Sequence, residues 1–101
     1  MLDDYSKKQV KTILENELEN VAKEYGGTIP RYFVRAAFNN IHFSGDLLPI
    51  DSTLPQPNPA FFMILCSRMQ LVFTNLGRKN IYPTKQDMDD MLASIHSGLV
   101  E

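Results

Sequence analysis

Ala60-Phe61-Phe62-Met63-Ile64-Leu65-Cys66-Ser67-Arg68-Met69-Gln70-Leu71-Val72-Phe73-Thr74-Asn75-Leu76 is the stretch whose reading decides the fold. Phe, Ile and Val in an apolar run suit a buried strand, but strands span about four to eight residues and this segment runs well past that. Phe62, Met69 and Phe73 recur at helical spacing with Leu65, Val72 and Leu76, while Ser67, Gln70 and Thr74 fall together on a narrow polar strip. A helix that is apolar over most of its circumference belongs in the centre of a bundle. The reading is a helix over 60–76 with Gly77 as its C-cap.

Upstream, Leu54-Pro55-Gln56-Pro57-Asn58-Pro59 favours an extended conformation. It has no proline pair three apart, the spacing of an SH3 ligand, so it reads as a stiff strut leading into the helix. The strut closes a connection over 42–58 whose Gly45, Pro49, Pro55 and Pro57 continue no helical pattern. Structureless connections beyond about 12–15 residues are uncommon in compact domains. Phe43, Leu47, Leu48, Ile50 and Leu54 therefore predict an ordered loop packed across the helices.

Two more helices precede the loop. Val10, Ile13, Leu14, Leu18, Val21 and Tyr25 form one stripe over 6–25, opened by Ser6 with Gln9 in capping-box spacing and closed by Gly26-Gly27. A second helix over 29–41 follows Thr28 as N-cap, with Pro30 in its first turn. Downstream, Thr84 caps a fourth helix over 85–97 carrying Met88, Met91, Leu92 and Ile95, with Ser97-Gly98 as its stop. Four helices and one long ordered loop predict an all-α, irregular four-helix bundle, with residues 1–101 as a single domain.

The composition sets bounds on function. Hydrophobic residues are 44% and charged residues 22% of 101 residues, ordinary globular usage. A net charge of −2 gives no global field for a polyanion, so nucleic acid is a disfavoured partner. The start, Met1 to Lys8, runs acidic before basic without the apolar stretch of a signal peptide. The run Ala60–Cys66 is far shorter than the roughly 20 residues of a membrane span. These features, with a lone cysteine, predict a cytoplasmic chain with no membrane partner.

Catalytic and metal chemistry find little support. Cys66 lies mid-helix among apolar residues, where the thiol is favoured and packing is the plainer role. His42 and His96 lack the close ligand pairs that a metal site uses. Asp87, Asp89 and Asp90 lack calcium-loop spacing and suit a helix start instead. No catalytic residue, metal site or cofactor is expected.

Recognition has two candidate surfaces. Arg31, Arg35 and Asn39 fall at i, i+4 and i+8 with Tyr32 alongside, and Arg and Asn are residue types that read base edges. The plainer account is a solvated face pairing with Glu17 or Glu24. Arg68 and Asn75 lie one heptad apart between Ile64 and Leu71, marking either a partner surface or an ion pair with another helix. The expectation is a small non-enzymatic interaction or regulatory module that binds another protein or a second copy of itself. A helical DNA-binding regulator using the Arg31/Arg35/Asn39 face is the alternative.

Overall fold

Asp3 rather than Ser6 opens the first helix. In the computed structural model, which describes residues 1–43, 53–95 and 98–100, the Asp3 side chain accepts a hydrogen bond from Ser6 N at 2.8 Å. A carboxylate at the cap position, just outside the first turn, suits the positive helix end better than a hydroxyl inside that turn. Helix α1 therefore spans Asp4–Tyr25, and Gln9 turns to the Tyr5 hydroxyl instead of capping. Gly26 closes the helix in the left-handed region at φ 88°, its N–H donating to Ala22 O. A side chain there would be strained.

Helix α2 spans Arg31–Phe43, so Thr28 is not its cap. Ile29 stays extended instead, because its N–H donates to Leu99 O at 3.0 Å and it forms an isolated parallel bridge with Val100. Both side chains are fully buried. The chain end thus returns to the entrance of α2, a long-range pairing that local propensity does not encode.

Helix α3 spans Pro59–Arg78, with Asn58 accepting from Ala60 N and Phe61 N, and Pro59 in the first turn. It passes through Gly77 and ends at Lys79, with Asn80 taking the left-handed position at φ 60°. Tyr82 donates its hydroxyl to Gly77 O, and a Cβ at Gly77 would meet the Tyr82 ring at 3.4 Å, an ordinary contact. Helix α4 spans Lys85–Ser94 behind the expected Thr84 cap, where Thr84 and Asp87 form a reciprocal capping box. It stops short of 97, with Ile95 extended at ψ 139°. His96 and Ser97 lie outside the described residues, as does 44–52, the larger part of the loop expected to pack over the helices.

The architecture is an all-helical bundle in which α1 and α2 each pack on both α3 and α4. α3 and α4 take diagonal corners. The core gathers Leu14 and Leu18 of α1, Val34 and Phe38 of α2, Leu65 and Met69 of α3, and Met88 and Leu92 of α4. The placement of α3 corrects the expectation of a central helix. Phe62, Leu65, Met69, Val72, Phe73 and Leu76 are buried, yet Met63 is 68% exposed, Leu71 59% and Ile64 40%. By length and apolarity alone α3 is long enough to cross a bilayer. A buried core face and a paired arginine near its middle are what a bundle helix carries.

Asp87 ties the start of α4 to the start of α1. Its side chain is fully buried and accepts from Thr84 N at 2.9 Å and Leu2 N at 3.0 Å. Burial alone would raise its carboxyl, but those donors and the N-terminal ammonium outweigh it and hold it below the ordinary 3.8. The folded form thus binds fewer protons than the unfolded chain, and this stabilisation is present above the unfolded value and lost as pH falls through the folded one. Asp87→Ala should cost about 1–2 kcal/mol near neutrality, the upper range of a lost cap. The gap from wild type should narrow in urea titrations as pH falls below the ordinary carboxyl range and on through the lowered folded value.

Candidate interaction face

Helices α1 and α3 run antiparallel: the start of α1 lies by the end of α3, and Tyr25 at the end of α1 stacks on Phe61 with centroids 4.5 Å apart. Between them sits Arg68. Its guanidinium reaches Glu17 Oε1 at 3.3 Å and Glu24 Oε1 at 3.6 Å. Of the two readings of Arg68, the ion pair with another helix is present. All three side chains keep substantial exposure, so each pair stabilises by no more than about 1 kcal/mol. Asn75 accepts from Arg78 at 3.4 Å and remains at the surface.

Around Arg68 the outer side of α3 exposes Met63, Ile64 and Leu71 beside the expected polar strip of Ser67, Gln70 and Thr74. A groove of about 480 Å³ lies at one end, between Tyr5, Ile13, Leu76 and Ile81, with Lys8 and Lys79 at its rim. It shares Ile13, Leu76 and Lys79 with a trough of about 370 Å³ that takes in Leu71, Asn75, Glu17 and Arg68. Arg68 in turn borders a third hollow of about 640 Å³ beside Glu24, Met63 and Ile64. The three form one furrow along the α1/α3 face. Of its exposed apolar members on α3, Met63, Ile64 and Leu71, the last two are one heptad apart and alternate with Arg68 and Asn75, which is how a single helix face presents residues to a partner.

The other sequence candidates face inward or toward α4. Arg31 donates through Nη1 to Leu92 O and through Nη2 to Ile95 O at 2.8 Å, capping the last carbonyls of α4. Arg35 pairs with Asp89 at 3.1 Å, and Tyr32 donates its hydroxyl to Pro55 O at 2.8 Å. Asn39 Oδ1 is buried with no partner among the described residues. Pairing of α2 with Glu17 or Glu24 does not occur, because α1 and α2 sit on opposite sides and Arg68 of α3 takes both carboxylates. Sequence spacing placed these residues on a shared face correctly but carried no information on which helix that face meets.

Cys66 is half-buried and its thiol accepts weakly from Asn40 Nδ2 at 3.7 Å; burial pushes its pKa up. His42 packs against the rings of Phe38 and Phe73, and burial lowers its pKa. No group of three His, Cys, Asp or Glu side chains converges to hold a metal ion among the described residues. No protein-family model, curated protein or solved structure matches this chain.

Proposed function

We propose that the chain is a small non-catalytic module that binds another protein through the α1/α3 face. The observation that carries this reading is the exposure of Met63, Ile64 and Leu71 on a helix whose opposite side builds the core. Three large apolar side chains lining one continuous furrow are unlike singly scattered surface residues, and grouped patches of this kind favour association. Methionine at the edge adds an adaptable contact. The Arg68/Glu17/Glu24 cluster within the furrow supplies polar groups able to fix register.

Site-specific photo-crosslinking in a cell extract tests it. A crosslinking side chain at position 71 should capture a discrete partner, and one at position 93, an exposed site on α4, should not. Adding Ile64→Asp should abolish capture at 71 without changing the helical circular dichroism. Equal capture at both positions, or capture that survives Ile64→Asp, would refute the reading.

A further inference from the structure

We infer that the α1/α3 face docks onto the same face of a second copy of this chain, in an antiparallel two-fold arrangement. This rests on the reading of that face as an interaction surface, and adds the identity and orientation of the occupant.

The charge distribution along the furrow carries the inference. At the Tyr5 end the rim holds two cations, Lys8 and Lys79, with no carboxylate among the lining residues. Neither lysine has an ion-pair partner among the described residues. Toward the opposite end two carboxylates, Glu17 and Glu24, share the single guanidinium of Arg68, leaving an excess negative charge. Between the ends, Ile13 and Leu71 share a trough whose lining also takes in Lys79 from the basic end and Glu17 and Arg68 from the acidic cluster.

A two-fold axis through that middle exchanges the ends. Each Lys8/Lys79 rim then faces the Glu17/Glu24 cluster of the other copy, and Leu71 and Ile13 meet their equivalents. A parallel arrangement would instead oppose like charges, which disfavours it. Isologous pairing of this kind needs a self-complementary patch, and the furrow is one. The size also fits. The 20 residues of α3 give a length of about 30 Å at 1.5 Å per residue. Two helices side by side are about 20 Å wide, so the face offers about 600 Å² per copy. Doubled, that reaches the lower edge of specific interfaces, about 1,200 Å², and predicts a reversible, salt-sensitive dimer.

Sedimentation equilibrium over a wide concentration range, with crosslinking at position 71 in parallel, tests this on the full chain. The wild type should show reversible monomer–dimer association that weakens with added salt, and a self-crosslink through position 71. Leu71→Asp, on an exposed side chain that leaves the core intact, should weaken association by about tenfold or more. Lys8→Glu/Lys79→Glu alone and Glu24→Lys alone should each associate less than wild type. Mixed together, they should form a heterodimer more readily than either forms a homodimer, because the retained basic rim of one copy meets the retained acidic cluster of the other, and the reversed rim meets the reversed cluster. A mixture no better than its components would overturn the antiparallel arrangement. A strictly monomeric wild type would overturn self-association. If position 71 still captures a different protein in that case, the interaction reading stands; if it captures nothing, both readings fall together.

Discussion

Leu65→Ala should destabilise the fold by about 3 kcal/mol, within the usual range of about 2–5 for a buried leucine. Leu65 is fully buried where α3 meets the core, beside Met69 and Phe62 on the same helix. Truncation removes apolar contact and leaves a cavity that the helices close only in part, since their spacing is held by the neighbouring side chains. For a domain of this size the loss corresponds to a fall in melting temperature of roughly 12–24 °C. Leu71→Ala, six residues along the same helix, is the internal control. Its side chain is 59% exposed, so at concentrations where the chain is monomeric its effect should stay within about 0.5 kcal/mol. Urea unfolding followed by circular dichroism measures both. Equal costs for the two would show that α3 does not divide into a core side and an open side.

The second large effect belongs to Arg31. Its two guanidinium nitrogens donate to Leu92 O, which also accepts from Ile95 N, and to Ile95 O beyond the last turn of α4. The cation also lies at the negative end of that helix. Arg31→Ala should cost about 2–3 kcal/mol, because hydrogen bonds from charged donors are worth about 1.5–3 and Ile95 O loses its part-buried donor, while Leu92 O keeps the Ile95 N–H. Arg31→Lys should restore less than half of that, since an ammonium cannot reproduce the planar fork that spans two acceptors. Arg35→Ala should cost no more than about 1 kcal/mol, because its pair with Asp89 is exposed on both sides. Hydrogen exchange gives a local readout: Arg31→Ala should reduce protection in the last turn of α4 before that of α1. Loss of protection spread evenly over the bundle would contradict the capping role.

Two residues of the same type on one helix therefore carry quite different loads, and the difference is tertiary. Their i, i+4 spacing puts Arg31 and Arg35 on one face of α2, which periodicity alone establishes. Whether that face meets solvent, a nucleic acid or another helix depends on the packing order of the bundle. Local signals worked best where the cause is local. Thr84 with Asp87, Gly26 and the 3.6-residue apolar periods all act within a few residues of themselves. They failed at Ser6, Thr28 and Gly77. Asp3 offered a better cap than Ser6, pairing with Leu99 and Val100 held Ile29 out of the helix, and α3 ran on through Gly77 to a cap at Lys79.

The segment 60–76 shows the same division. From its residues alone it is helical, too apolar to stand free, and interrupted by Arg68 and Asn75. Its periodicity states how much apolar surface the helix owns. It cannot state which sector receives a neighbour, because that depends on where α1 and α2 arrive from distant parts of the chain. The tertiary structure placed them so that Leu65 and Met69 are enclosed, while Ile64 and Leu71 remain at the surface beside an arginine shared by two glutamates. The physical reason is that a helix in a bundle of four has neighbours on only part of its circumference, and an apolar residue on the remaining part stays exposed unless another surface covers it.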